Sequence, residues 1–162
     1  MKIAIYPGTF DPITHGHIDV VERAVTLFDR VVITIAINAV KKPLFSVKER
    51  QEMIAESTKH LQNIEVDAFE GLLMEYAKRK NAVAVIRGLR AISDFEYELQ
   101  MALMNRKLAE EVVTVFLMPN VKYTYLNSTI VKEVAGFGGD VSGLVPESVE
   151  KRLQKKFRKN GI

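Results

Sequence analysis

The chain has 162 residues, of which 48% are hydrophobic and 27% charged, a composition typical of one globular domain and unlike that of a disordered or repetitive protein. Because it contains no cysteine, disulfides, thiolate metal sites and a cysteine nucleophile are excluded. The net charge is only +3, and the basic stretch 151–159 is typical of a solvated helix face, so we expect neither a nucleic-acid nor a membrane partner.

Apolar, β-branched runs alternate with stretches of helical periodicity along the chain. Five of these runs are short and largely apolar, which predicts strands buried on both faces. They are residues 2–6, 30–37, 64–69, 82–86 and 112–118. Their alternation with helices predicts an α/β fold, a Rossmann-like, doubly wound five-stranded parallel sheet with helices on both faces. We expect a single domain over residues 1–162.

Capping signals mark the starts of several predicted helices. Ser46 with Glu49, and Ser93 with Glu96, fit the capping box, in which a hydroxyl and a carboxylate bind otherwise unpaired backbone N–H groups. Pro146 is suited to the beginning of the last helix, where its missing N–H does no harm. No apolar run reaches membrane-spanning length and the N-terminus does not read as a signal peptide, so a cytoplasmic location is expected.

The first predicted strand is joined to a helix through residues 6–17, YPGTFDPITHGH. The stretch lacks both the G-x-G-x-x-G and the Walker patterns, which disfavours a hydride-transfer enzyme and a P-loop ATPase. Gly8 is expected to let the backbone turn sharply, and Thr9 to offer its hydroxyl to a phosphate oxygen. At the helix start, where free N–H groups attract anions, His17 is expected to donate a ring N–H to a phosphate, whereas His15 is expected to be structural.

Further candidates follow the later strands. Arg87 and Arg90 flank Gly88-Leu89 at the end of the fourth strand, and the cluster 127–129 (Asn-Ser-Thr) starts a helix after the fifth. Guanidinium groups and a helix N-terminus both suit phosphates. Because the carboxyl ends of parallel strands lie at one edge of the sheet, we expect these groups to meet the turn after the first strand in one crevice.

Residues 14–17 resemble the T/H-x-G-H signature of the nucleotidyltransferase superfamily, and the whole chain is similar to its bacterial branch that adenylylates 4'-phosphopantetheine. Four ordered blocks carry the resemblance: 6–19 (YPGTFDPITHGHID), 41–50 (KKPLFSVKER), 86–108 (IRGLRAISDFEYELQMALMNRKL) and 128–135 (STIVKEVA). The resemblance implies a nucleotidyltransferase domain that transfers AMP from ATP to 4'-phosphopantetheine. The products are dephospho-coenzyme A and pyrophosphate, in coenzyme A biosynthesis. It also implies direct in-line transfer without a covalent enzyme intermediate.

The same resemblance implies roles for individual residues. His17 would stabilise the transition state at the α-phosphate, and the other residues of the catalytic set would be Thr9, Lys41 and Arg90. Phosphopantetheine would be bound by Thr9, Lys41, Leu73 and Arg87. ATP would be bound by Thr9, Phe10, His17, Gly88, Leu89, Arg90, Glu98, Tyr123, Thr124, Tyr125, Leu126, Asn127, Ser128 and Thr129.

Several of these residues also have ordinary structural explanations. Lys41 is compatible with a solvated loop, Leu73 with the core, and Glu98 with an ion pair to Arg90 or a neighbouring helix charge. Asn127 is compatible with a plain helix cap, and many relatives carry serine at this position. The role of Lys132, whose spacing differs from that of a basic residue in the broader superfamily, stays open.

The resemblance bears on the cofactor and on assembly. ATP chemistry implies Mg²⁺, which we expect to be held mainly by substrate phosphates and water, so no metal-binding residue is proposed. The helix predicted from Ser93 carries two apolar stripes, which either deep burial or a subunit interface would explain. The stripes are Phe95-Leu99-Ala102 and Tyr97-Met101-Met104-Leu108. The resemblance favours the interface, in a homo-oligomer that is typically a hexamer.

Three alternatives remain open from the sequence. A fragment of a class I aminoacyl-tRNA synthetase would share the H-x-G-H logic, but the chain has no K-M-S-K-S segment and no tRNA-binding extension. A nucleotide-binding regulator without turnover is the second alternative. The third and nearest is a nucleotidyltransferase that uses CTP or nicotinamide mononucleotide.

Overall fold

The computed structural model describes residues 1–159, apart from the side chains at positions 92, 93 and 159. It contains a five-stranded parallel sheet in the order β3-β2-β1-β4-β5. The strands are β1 (Ile3–Gly8), β2 (Arg30–Ala36), β3 (Ile64–Phe69), β4 (Ala84–Gly88) and β5 (Val113–Leu117). The predicted α/β fold is confirmed, and the strand ends lie within two residues of the predicted ones. The predicted domain extends to residue 162, and its last three residues lie outside the described part.

Helices connect the strands and close the chain. They are α1 (His15–Ala24), α2 (Val47–Ser57), α3 (Leu73–Arg79), α4 (Ile92–Leu108), α5 (Ser128–Gly136) and α6 (Glu147–Lys159), with a short 3-10 helix at Val121–Tyr123. Throughout residues 1–159 the structure contains no helix that is both long enough and apolar enough to span a membrane.

The helix starts agree in part with the predicted caps. The capping box of α2 is confirmed, since the Glu49 N–H donates to Ser46 Oγ at 3.1 Å and the Ser46 N–H donates to Glu49 Oε2 at 2.7 Å. Pro146 directly precedes α6, and its carbonyl accepts the Glu150 N–H at 3.0 Å. The predicted capping box at Ser93 is wrong, because α4 begins at Ile92, one residue before Ser93, and its N-cap position is Ala91.

Successive residues of the central strands point to opposite faces of the sheet, where two cores form. Ala4 and Tyr6 belong to the larger core, with apolar residues of α1, α2, α5 and α6, whereas Ile5 belongs to the smaller core with α3. The prediction of burial on both faces is wrong for β3, at the edge of the sheet. Its polar residues Glu65 and Asp67 alternate with apolar ones and point to one face, where about a third of each side chain is exposed.

The order of the strands determines where a site can form. The chain moves outward from β1 through β2 to β3, then returns to place β4 on the other side of β1. In open α/β sheets a crevice forms at the carboxyl ends of the two strands where the direction of winding reverses. Here those ends are Gly8 of β1 and Gly88 of β4.

Candidate active site

A cleft opens at this switch point, between the turn after β1, the end of β4, α4 and the start of α5. Its lining residues come from all of these segments. They are Tyr6, Pro7, Gly8, Thr9, Phe10, Thr14, Gly16, His17, Val20, Arg87, Gly88, Arg90, Asp94, Glu98, Pro119, Leu126, Asn127 and Ser128. The structure therefore brings together the candidates from the first turn, both arginines, and Asn127 and Ser128 of the cluster 127–129, as expected for groups at the carboxyl ends of parallel strands.

The turn after β1 is bent at Phe10. Phe10 has a positive φ of 48°, a left-handed backbone that is uncommon for a residue other than glycine. Its ring folds back over Gly8, where an added Cβ would lie 3.0 Å from two ring carbons. The ring also packs edge-on against Tyr6 and His17, with centroid distances of 5.3 and 5.1 Å. The expected sharp bend therefore occurs two residues after Gly8, and Gly8 is needed for the close contact with the ring.

His17 is held at the start of α1 by Thr14, its N-cap residue. The Thr14 N–H donates to His17 Nδ1 at 3.0 Å, and the His17 N–H donates to Thr14 Oγ1 at 3.4 Å. Because Nδ1 accepts the main-chain hydrogen bond, the hydrogen-bond network assigns the ring proton to Nε2. Burial, reinforced by the nearby charge of Arg90, lowers the pKa of His17 to about 4. His17 is thus a neutral imidazole with one N–H to donate.

His15 and Gly16 have packing roles at the same helix start. The His15 ring stacks on Tyr123, with centroids 6.1 Å apart, and does not line the cleft. Burial, with a smaller contribution from Lys122, lowers the pKa of His15. A Cβ on Gly16 would lie 3.5 Å from Tyr123 Cβ, in ordinary contact, so this packing would also accept an alanine; Gly16 itself lines the cleft. These contacts agree with the structural role expected for His15.

Arg87 and Glu98 form a two-point ion pair at the cleft. Arg87 donates from Nε to Glu98 Oε2 at 2.8 Å and from Nη2 to Oε1 at 2.7 Å. These hydrogen bonds raise the pKa of Arg87. The interpretation that Glu98 pairs with Arg90 is wrong, because Arg90 lies instead against Asp94, at 3.4 Å, and donates to the Leu126 carbonyl at 3.2 Å.

The N-terminus of α5 forms the far wall of the cleft. Asn127 is its N-cap, and the Asn127 side-chain oxygen accepts the Ile130 N–H at 2.8 Å, so the capping prediction for this residue is confirmed. Ser128 Oγ donates to the Pro12 carbonyl at 2.7 Å, which ties α5 to the turn after β1. The helix start is therefore held in place at the cleft, where its free N–H groups attract anions.

Some of the predicted site residues do not line the cleft. These are Lys41, Leu73, Leu89, Tyr123, Thr124, Tyr125 and Thr129. Lys41 lies exposed in the loop after β2, and Leu73 packs against the smaller core, as the structural explanation of a leucine predicts. The roles implied for these residues remain predictions.

Several residues that shape the cleft are not among the predicted site residues. Tyr6 and Asp94 line it, and burial raises the pKa of Tyr6. Thr14 belongs to the T/H-x-G-H signature, and the structure adds that it orients His17. The signal was present, because Thr14 and His17 have the three-residue spacing of a capping box. Tyr6 and Asp94 carried no comparable local signal.

The carboxylates at the cleft do not form a cation site. Asp94 and Glu98 line the cleft, and each lies beside a guanidinium group, of Arg90 and Arg87 respectively. Within the described residues, no three His, Asp or Glu side chains are grouped so that they could hold a metal ion. The donor set therefore does not fit a metal held by protein carboxylates.

Sequence comparisons relate the chain to known enzymes. Residues 5–134 match the model of the cytidylyltransferase-like family. Among curated proteins, the phosphopantetheine adenylyltransferase of Desulfosudis oleivorans is 57% identical, with 97% of this chain and 94% of the relative covered. The phosphopantetheine adenylyltransferase of Caldanaerobacter subterraneus subsp. tengcongensis is 55% identical, with 99% and 100% covered.

A solved structure supports the fold independently. A Vibrio parahaemolyticus protein described as a nicotinate-nucleotide adenylyltransferase superposes with a TM-score of 0.73, covering 98% of this chain and 96% of its own. Its sequence identity is 18%, so this likeness concerns the fold alone.

Proposed function

Since this chain belongs to the cytidylyltransferase-like family, and within it to the phosphopantetheine adenylyltransferases, we propose that it transfers AMP from ATP to 4'-phosphopantetheine. The products would be dephospho-coenzyme A and pyrophosphate, in coenzyme A biosynthesis. The observation that carries the proposal is the position of His17, which Thr14 holds at a helix N-terminus and which lines a cleft together with two arginines.

His17 acts in this proposal as a donor to the α-phosphate. As the acceptor oxygen approaches in line, negative charge builds on the equatorial oxygens of that phosphate, and a donor already in place lowers the barrier. A neutral imidazole can make this hydrogen bond through Nε2–H while Thr14 holds Nδ1. A role as general base is disfavoured, because a phosphate acceptor is largely ionised at neutral pH and has little need of proton removal.

The positions of the other cleft residues agree with nucleotidyl transfer. Thr9 lies at the end of β1, beside the turn that carries Phe10, and would orient the attacking phosphate. Arg90 lies between the end of β4 and the start of α5 and would bind ATP phosphates together with the free N–H groups at the start of α5. Direct displacement requires only that the two phosphates are held in line, so no covalent enzyme intermediate is invoked.

Mg²⁺ would enter this reaction with ATP. Because the carboxylates at the cleft lie against guanidinium groups, we expect the ion to be held by substrate phosphates and water. It would neutralise phosphate charge, and the roles proposed for His17, Thr9 and Arg90 do not depend on it.

Helix α4 supports assembly into a homo-oligomer. Its best-buried described side chains are the polar Glu98 and Asn105, at 8% exposure each, whereas its large apolar side chains face outward. The exposed ones are Phe95, Tyr97, Leu99, Met101, Leu103, Met104 and Leu108. Deep burial within one chain is thus not the explanation of the two stripes. A second copy of the chain would cover this face, in the hexamer that the resemblance implies.

The decisive experiment measures pyrophosphate release from ATP with phosphopantetheine. We expect release only when both substrates are present. CTP replacing ATP, and nicotinamide mononucleotide replacing phosphopantetheine, test the neighbouring activities of the superfamily. ATP binding without any release would support a regulator, and a salt-dependent shift of tRNA would support the synthetase alternative. A cytoplasmic location remains a prediction from the sequence.

A further inference from the structure

Arg50 is a buried arginine of α2 that is not among the predicted site residues and does not line the cleft. Only 4% of its surface is exposed. Nη1 donates to the carbonyl of Thr9 at 2.9 Å, and Nε donates to the carbonyl of Phe45 at 3.1 Å. One side chain thus joins the turn after β1 to the loop after β2.

Asp11, two residues after Thr9 in the turn after β1, holds the same loop. Its carboxylate accepts the N–H groups of Leu44, at 2.9 Å, and of Phe45, at 3.0 Å. It is also paired with Lys132 at 3.0 Å, which gives Lys132 a structural partner. Both main-chain groups of Phe45 are therefore held, its N–H by Asp11 and its carbonyl by Arg50, while its ring is 1% exposed. Phe45 therefore anchors the loop.

Arg50 joins two segments, and each of them carries a residue that is expected to bind the acceptor substrate. Thr9 lines the cleft, and its carbonyl is the group that Arg50 holds. Lys41 lies four residues before Phe45, in the exposed part of the loop. The next residue after Thr9 is Phe10, whose left-handed backbone persists only when the surroundings over-determine it. The contact to the Thr9 carbonyl supplies such a restraint.

We propose that Arg50 is a positioning residue for the acceptor substrate: it fixes the Thr9 turn against the Phe45 anchor and so sets the spacing between the Thr9 hydroxyl and Lys41. The proposal rests on the function proposed above. Two nitrogens of one planar guanidinium reach two carbonyls on different segments, an arrangement that a single ammonium group cannot reproduce. Displacing a substrate-positioning group by about 1 Å costs up to ~10²-fold in rate, so the spacing matters to turnover.

The test is Arg50→Lys, which keeps the charge and the length of the side chain. We expect the acceptor KM to rise, or kcat to fall, by about tenfold or more, while the Kd for ATP measured by calorimetry changes less than about threefold. Met53→Ala is the matched control, since Met53 lies on the same helix, is fully buried in the core and has no side-chain donor that could bind the Thr9 carbonyl. It should lower the melting temperature and leave the acceptor KM unchanged.

Each result decides the proposal. Wild-type acceptor kinetics in Arg50→Lys, an equal loss of ATP affinity, or the same kinetic change in Met53→Ala would overturn it. If Arg50→Lys does not fold, Asp11→Asn, which weakens the same anchor without changing its shape, is measured by the same criteria, and failure of both to fold would make the role purely structural. Should wild-type enzyme release no pyrophosphate with phosphopantetheine, the proposed function fails, which is distinct from failure of the positioning role.

Discussion

At the cleft, Arg87 is hydrogen-bonded to Glu98, so a residue expected to bind the acceptor is joined to one expected to bind ATP. The guanidinium of Arg87, at the end of β4, makes two hydrogen bonds, of 2.8 and 2.7 Å, to the carboxylate of Glu98 on α4. The Glu98 side chain is only 9% exposed. A residue implied in acceptor binding and one implied in ATP binding are thus each other's partner.

Alanine substitutions in this pair should have non-additive effects on the free energy of unfolding. Arg87→Ala leaves a nearly buried carboxylate unpaired. We therefore expect the double variant Arg87→Ala/Glu98→Ala to lose about 1–3 kcal/mol less stability than the sum of the two single variants. Urea unfolding of the two single variants and the double variant measures this coupling. Arg30 and Glu65, which are 3.8 Å apart and both more exposed, form the control pair, with an expected coupling below about 1 kcal/mol. Additive losses for Arg87 and Glu98 would show that the pair contributes no mutual stabilisation.

Lys41 and its neighbour Lys42 allow a test of how the acceptor substrate is bound. Both lie in the exposed loop after β2, so alanine at either position should leave the fold intact. We expect Lys41→Ala to raise the acceptor KM by about tenfold, as for loss of one charge-assisted contact, and to leave the Kd for ATP nearly unchanged. Lys42→Ala should change neither. Equal loss of affinity for both substrates in Lys41→Ala would contradict the division into subsites.

His17 should contribute to kcat more than to ATP binding. Removal of one preorganised donor commonly costs about 10²- to 10³-fold in turnover, and we expect His17→Ala to lose at least this much. Because the hydrogen bond strengthens chiefly in the transition state, the Kd for ATP should change less than about tenfold. His15→Ala is the control, since its ring stacks on Tyr123 outside the cleft, and it should lose far less. Near-normal turnover in His17→Ala would exclude a catalytic role.

The lowered pKa of His17 makes stability depend on pH. Its pKa is about 4 in the folded protein, against an ordinary value of 6.5 that applies to the unfolded chain. Folding therefore favours the neutral ring, so this contribution to stability is complete above pH 6.5 and is lost as the pH falls toward 4. Urea unfolding between about pH 7 and 5 should show a smaller decline for His17→Gln than for wild type. Ring NMR signals titrating with a midpoint near 6.5 would contradict the assignment.

The apolar face of α4 should determine the oligomeric state. We expect light scattering to give a mass well above the 18.3 kDa of one chain, and Met101→Glu, on this face, to reduce it. Burying a charge between subunits is costly, which is why the variant should dissociate. Phe137→Glu is the matched control, because Phe137 is 87% exposed, directly follows α5 and lies beside residues of α6. A monomer mass for wild type would refute assembly, and an unchanged mass for Met101→Glu would refute this location.

Local patterns in the sequence predicted a large part of this molecule. The strands and the capping box of Ser46 and Glu49 depend on residues a few positions apart, whose periodicity and hydrogen bonds are set within one element. The same holds for the placement of His17 at a helix start. Residues after different strands could be assigned to one crevice because the ends of parallel strands must share an edge.

Only the tertiary structure decided which distant groups pair. Glu98 binds Arg87 and not Arg90, although both arginines lie at the end of the same strand. Asp11 and Lys132 are 121 positions apart, and Arg50 reaches Thr9 across 41. The periodicity of α4 likewise identified apolar stripes but not their direction: in the folded chain Glu98 and Asn105 face inward, and the apolar stripes face outward. Such choices depend on which side chains the folded backbone brings within a few ångströms, and no pattern local to one segment contains that distance.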